Sequence, residues 1–196
     1  MRIIHYTLGF SPYRSGGLVK YAKDLMVAQA DLGHSVVALY PGGTELLHKQ
    51  CYVHEDIAYE SIRTFEMSNP LPVSLMYGIK DVERETSGQS LDEKSFLAML
   101  DEVKPDVLHV HTLMGLPLEY LRIVHYRNIR IVYTSHDYFG LCPKVNFINH
   151  NGNVCEGTSC ERCEVCNVNA KSALFLKVRN AKWVVPLKKI ARRMKK

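Results

Sequence analysis

The stretch MRIIHYTLGFSPYRSGGLVKYAKDLMVAQADLGHSVVALY, residues 1–40, decides the fold. Residues 3–8 (Ile-Ile-His-Tyr-Thr-Leu) are a short run rich in β-formers, and Gly9, Pro12, Ser15, Gly16 and Gly17 behind it are loop residues. Leu18, Tyr21, Ala22, Leu25 and Met26 then recur at three-and-four spacing, which predicts a helix over 18–32 with Gly33 at its end. Residues 35–40 (Ser-Val-Val-Ala-Leu-Tyr) are β-rich again and stop at Pro41-Gly42-Gly43. Strand, helix, strand in so short a span is a βαβ unit, with a right-handed crossover and parallel strands.

The alternation resumes downstream. After strands near 52–57 and 61–65 and an irregular segment with Pro70 and Pro72, a helix is expected over 95–103, ahead of Pro105. A strand over 106–111, a helix over 118–126 and a strand over 129–134 follow. Together these predict an α/β chain: a single Rossmann-like, doubly wound domain over 1–196 with a mainly parallel sheet. From 136 to about 170 the pattern breaks into a polar stretch whose Cys-rich part, 140–168, reads as an insertion. A helix over 171–179, a last strand over 182–186 and a terminal helix over 187–196 complete the expectation.

Charge is unevenly placed. The chain carries 25 Lys+Arg against 20 Asp+Glu, a formal +5, yet 177–196 alone holds nine basic residues and no acidic one. The other 176 residues hold 16 basic and 20 acidic side chains, a net −4. Phosphate neutralisation needs a basic face on the folded body, so nucleic acid is not the expected partner. Met1-Arg2-Ile3-Ile4-His5 lacks the layout of a signal peptide, and charged residues interrupt every apolar run short of the roughly 20 residues a bilayer span needs. The cytosol is the expected compartment, and contact with the inner face of a membrane is peripheral. Leu187, Ile190, Ala191 and Met194 lie at helical spacing opposite the tail's charges, a pattern that suits anionic lipid or the cover of a core.

Three groups of residues carry chemistry. The loop from Gly9 to Gly17 joins the carboxyl end of the first strand to the amino end of the first helix, where free backbone N–H groups and the helix dipole favour anions. It matches neither the dinucleotide fingerprint nor the P-loop, and a glycine pair that simply permits a turn explains it equally. His109 and His111, two apart in one strand, share a face; His111 ends its strand and His136 follows the next, so both lie on the same sheet edge as the glycine loop. Histidines there bind hydroxyls or act as acid or base. Cys142, Cys155, Cys160, Cys163 and Cys166 crowd together while Cys51 stands alone. In a reducing compartment that spacing suggests a structural zinc stapling a segment with little apolar core, with an iron–sulfur cluster or free thiols as alternatives. Five candidates for four positions leave the ligand set open.

Several stretches together resemble the N-terminal half of a GT-B glycosyltransferase of the retaining family four, or group 1, type. They are Gly16-Gly17 followed by Tyr21-Ala22 and Leu25, Leu32-Gly33-His34-Ser35-Val36, Pro105-Asp106-Val107-Leu108-His109-Val110-His111, and Tyr133-Thr134-Ser135-His136-Asp137-Tyr138. Leu141-Cys142-Pro143, Gly152, Cys155, Gly157, Cys160 and Cys163 look like the insertion of a Cys-rich subset. The resemblance implies transfer of a sugar from a nucleotide sugar to a glycan or lipid-linked acceptor, with retention. It implies that Gly16 and Gly17 approach a phosphate, that Asp137 belongs to the substrate-binding set, and that His136 lies close to the reacting sugar with His111 second to it. It implies no cofactor for catalysis, which makes a zinc structural. The family's second, donor-binding domain carries an E-x7-E motif; Glu85 and Glu93 have that spacing without its context, so the chain reads as the acceptor-side domain with the donor domain absent and little activity alone. The rival from another class is a zinc-stapled α/β module that binds a protein or an anionic partner. A lone α/β hydrolase is disfavoured, because no Gly-x-Ser-x-Gly elbow is present.

Overall fold

The computed structural model describes residues 1–45, 47–80, 89–182 and 184. Six strands form one sheet: β1 (Arg2–Tyr6), β2 (Ser35–Pro41), β3 (Tyr52–Tyr59), β4 (Ile62–Ser68), β5 (Val107–Val110) and β6 (Arg130–Tyr133), in the order β3-β4-β2-β1-β5-β6. All pairings are parallel except β3 with β4, a hairpin at the edge. The helices are α1 (Gly17–Asp31), α2 (Glu93–Val103), α3 (Leu118–Tyr126), α4 (Cys160–Cys166) and α5 (Ala173–Arg179). The Rossmann-like, mainly parallel sheet expected from the alternation is present.

Strand parity separates two faces. Ile4, Tyr6, Leu108 and Val110 point to one side, where Phe96, Met99 and Leu100 of α2 and Tyr120 and Val124 of α3 close the main core. The Phe96 and Tyr120 rings stack at 4.1 Å there. On the other face Ala22 and Met26 of α1 pack on Ala38 and Ile62. His5 of β1 falls on this second face by the same parity, directly beside His109 of β5 in the parallel register.

Element ends follow local chemistry. β1 stops at Tyr6 rather than running to residue 8, although Thr7 N–H still reaches Leu39 O at 3.0 Å. α1 ends where Gly33 takes φ +83°, a value that glycine adopts freely. α2 begins at Glu93, two residues earlier than its periodicity indicates, because Asp92 Oδ1 accepts from Lys94 N–H at 3.1 Å and Ser95 N–H at 3.3 Å. α5 starts behind Ser172, whose hydroxyl accepts from Phe175 N–H at 3.3 Å. The Cys-rich insertion, where the helix–strand alternation breaks, contains α4, capped by Ser159 Oγ accepting from Arg162 N–H at 3.2 Å.

Residues 183 and 185–196, on which most of the expected last strand and the whole terminal helix fall, lie outside the described residues, as does Glu85 of the E-x7-E spacing. Just before them Ala181 bridges Thr44, and Lys182 pairs with Glu45 at 2.9 Å and Glu66 at 3.4 Å. One lysine of the basic tail is therefore engaged by the domain itself. Among the described residues no helix is long and apolar enough to cross a membrane.

Candidate functional site

The strand order reverses between β1 and β5: the chain leaves β1 toward β2 and returns to β5 on the opposite side. Loops diverge at such a point and leave a crevice at the strands' carboxyl ends. Two ladders continue one rung into that edge. His111 N–H donates to Tyr6 O at 2.9 Å just past β5, and Thr134 N–H donates to Val110 O at 3.0 Å just past β6. Those rungs place His111 and the segment before His136 on rigid supports.

Four imidazoles meet there. His5 Nδ1 lies 2.9 Å from His111 Nε2, and His111 Nδ1 lies 3.2 Å from His136 Nε2. His5 Nε2 lies 2.7 Å from Gln29 Oε1 on α1. His109 stacks on His111 with ring centroids 4.2 Å apart and reaches Thr134 Oγ1 through Nε2 at 2.8 Å. Tyr21, half-exposed on α1, sets its ring edgewise against His136 at 4.9 Å.

Burial keeps the cluster neutral. His5 and His111 are 0% and 1% exposed, and an imidazolium there would lose its hydration. Desolvation therefore lowers His5 to about 4 against the raising effect of its bond to Gln29, and lowers His111 to about 3, reinforced by the neighbouring histidines. His109 is lowered by burial and by His136; His136 is lowered by burial and partly restored by Asp137.

Among the described residues, His5, His109 and His111 are the group whose ligand atoms come close enough for one metal ion, all within 4.8 Å. The facing nitrogens of His5 and His111, at 2.9 Å, are closer than the ~3.3 Å separating two nitrogen ligands of a tetrahedral zinc with bonds of about 2.0–2.1 Å. A shared proton fits that distance, and the other nitrogens of both rings are engaged by Gln29 and His136. The arrangement is a hydrogen-bonded row rather than a chelate.

The glycine loop lies beside this row. Gly16 is the N-cap of α1 at φ 127° and ψ 175°, a conformation essentially reserved for glycine, and a Cβ at Gly16 or Gly17 would meet nothing within 4 Å. The space in front of α1 is open, so backbone geometry and not crowding accounts for Gly16. Arg14 of the same loop is partly buried and donates to Asn180 Oδ1 at 3.2 Å. Burial, and then the nearby Arg179 guanidinium, pull Arg14 below the usual arginine range. Asp137 turns its carboxylate onto its own loop, where Oδ1 accepts from Phe139 N–H at 2.9 Å.

The expectation that His111, His136 and the glycine loop share one edge agrees with where they lie, and His109 shares a face with His111 as its spacing predicts. Sequence reasoning missed His5, Gln29, Thr134 and Arg14. A histidine amid the apolar Ile3-Ile4-His5-Tyr6 run was one available signal. A glutamine at 29, in phase with Ala22 and Met26 on the inner face of α1, was another.

The cysteines behave differently. Cys51 is buried in the main core beneath Tyr120, and burial pushes its thiol up to about 12. All six are free thiols, and the other five are at least partly exposed. Cys142, Cys160 and Cys163 line one cavity of about 490 Å³ with Ser74, Ile79 and Phe139. Among the described residues no three thiols come within 4.8 Å of one another. The insertion is anchored to the body by Val145, packed with Leu8, Val19, Val73 and Met114, and by Asn167 Nδ2 donating to Ile79 O at 2.8 Å.

No curated protein matches the chain. The model of Glycosyltransferase Family 4 matches residues 15–153, a span that takes in α1, the sheet edge with His109, His111 and His136, and the start of the Cys-rich segment. With its mainly parallel Rossmann-like sheet and a match over well more than half its length, the chain belongs to Glycosyltransferase Family 4.

Proposed function

We propose that this domain is the acceptor side of a retaining glycosyltransferase, which moves a sugar from a nucleotide sugar to a glycan or a lipid-linked acceptor. The observation that carries the reading is the convergence, at the switch point of a family-four sheet, of His111 and His136 beside the open glycine loop. His136, only partly buried at the outer end of the histidine row, contacts hydroxyls of the reacting sugar. His111 supports it from behind. Gly16 and Gly17 let a phosphate approach their backbone, and the neighbouring guanidiniums of Arg14 and Arg179 favour an anion at the same edge. Asp137 contributes by shaping the loop that carries His136.

The reading divides the work between this domain, which holds the acceptor, and a second domain across the cleft, which holds the donor nucleotide. Titration of the purified chain with candidate glycans, lipid-linked glycans and nucleotide sugars tests it. Acceptor binding weakened about tenfold by His136→Ala, a loss of ~1.4 kcal/mol, is the expected result. Rapid turnover of a nucleotide sugar by the 196-residue chain alone would overturn the division of labour.

For the insertion the proposal is a structural zinc on four of Cys142, Cys155, Cys160, Cys163 and Cys166, no three of whose thiols stand within 4.8 Å of one another in this structure, so the ion would have to draw them together. Three thiols on one cavity and a segment anchored by so few buried apolar side chains support it. The ion takes no part in the transfer. Metal analysis of the purified chain, and cobalt substitution read by thiolate charge-transfer absorption, test the site; a metal-free chain with five titratable thiols and an unchanged melting temperature would remove it.

A further inference from the structure

Each imidazole of the histidine row uses one nitrogen inward and one outward, so the proton on one ring dictates the proton on the next. In the orientation of the Gln29 amide seen here, Oε1 lies 2.7 Å from His5 Nε2 and accepts its hydrogen, which leaves His5 Nδ1 bare. His111 Nε2, at 2.9 Å, then carries the hydrogen shared with His5 Nδ1, and His111 Nδ1 is bare in turn. His136 Nε2, at 3.2 Å, supplies the next proton. The logic ends at His136 Nδ1, for which the described residues provide no hydrogen-bond partner.

We propose that Gln29, His5 and His111 are positioning residues that fix His136 as its Nε2–H tautomer, so that its outward Nδ1 is an obligatory acceptor that recognises a hydroxyl group and rejects a phosphoryl oxygen. A lone acceptor nitrogen can receive a hydrogen bond from a sugar or acceptor hydroxyl, whereas a fully ionised phosphate, itself an acceptor, would be repelled. The proposal relies on the glycosyltransfer reading for what His136 contacts, but not for which of its nitrogens carries the proton.

The row sets a tautomer and does not conduct charge. A proton taken up at His136 Nδ1 could pass inward only by making His111 or His5 an imidazolium, and both rings are sealed from water. Gln29, an amide, cannot accept the proton at the far end. The charge therefore stays on the outermost ring, where Asp137 is the acidic neighbour and His111, His109 and Tyr21 face the ring from the strands and from α1.

Long-range proton–nitrogen correlation spectra of the 15N-labelled chain report the tautomer of every ring, with signals assigned by single His→Asn substitutions. In the free protein at neutral pH, His5, His111 and His136 are all expected in the Nε2–H form. Gln29→Lys substitutes a donor, reverses each bond in turn, and shifts His136 to the Nδ1–H form although, within the row, the side chain at 29 bonds to His5 alone. A wild-type His136 bearing its proton on Nδ1, or a His136 tautomer identical in Gln29→Lys and the wild type, overturns the proposal; if the lysine variant does not fold, the wild-type spectrum still decides. None of these readings needs a sugar or a nucleotide, so failure of the relay and failure of the glycosyltransferase reading are separable.

Discussion

His111 Nδ1 and His136 Nε2 meet at 3.2 Å, across a separation of 25 residues and from two neighbouring strand ends. The contact exists because β5 and β6 are adjacent and in register, with His109 opposite Val132 and Val110 opposite Tyr133. Each chain then needs only one further ladder rung to bring its histidine to the edge. Behind this pair His5 completes a buried row whose protonation state governs stability as well as chemistry.

Acid should unfold the domain through that row. The folded values of His5 and His111, about 4 and about 3, lie below the unfolded value near 6.5. The unfolded chain thus binds more protons wherever pH is below about 6.5, and unfolding free energy rises with pH in that window. The contribution is fully present above about pH 6.5 and is lost as pH falls toward 4; at pH 5 either ring alone costs about 2 kcal/mol. Urea midpoints measured from pH 7.5 to 4.5 should fall accordingly, and His111→Asn should flatten the curve.

Gly16 and Gly17 should respond unequally to alanine. Gly16 has φ 127°, so Gly16→Ala strains the backbone by about 1–3 kcal/mol even though its Cβ would meet no atom. Gly17 begins α1 with open space around it, so Gly17→Ala should leave the melting temperature within a few degrees. If the loop admits a phosphate, both variants should lose affinity for inorganic phosphate or a phosphorylated acceptor.

The cysteines should divide into one inert and five accessible thiols. In the metal-free chain iodoacetamide should modify Cys160 early, because it is exposed, and spare Cys51 until global unfolding. Added zinc should protect four of the five insertion cysteines, as counted by mass spectrometry.

The main core should be sensitive where two rings share it. Phe96→Ala removes the partner stacked at 4.1 Å on Tyr120 and opens a cavity between α2 and α3. A loss of about 3–5 kcal/mol is expected from denaturant titration. Phe96→Leu should lose less than half of that.

The local elements were legible because their causes are local. Leu18, Tyr21, Ala22, Leu25 and Met26 repeat with the helix period, Gly33 ends the helix at a positive φ, and strand runs stop at Pro and Gly; neighbours in sequence determine all of these. α4 went unread because its few residues follow a polar turn-rich segment, and a side-chain cap at Ser159, rather than an apolar stripe, defines its start. His111 and His136 could be placed on one edge because parallel strands put their carboxyl ends together.

The sequence by itself determined a mainly parallel α/β domain with histidines and a glycine loop on one rim. Only the tertiary structure decided that His5, 106 residues from His111, lies in hydrogen-bond contact with it, and that Gln29 closes the row from α1. The physical reason is that strand order, not strand identity, chooses neighbours. The chain places β5 against β1 rather than against β4, and that choice turns a histidine that reads as one more strand residue into the buried end of the site.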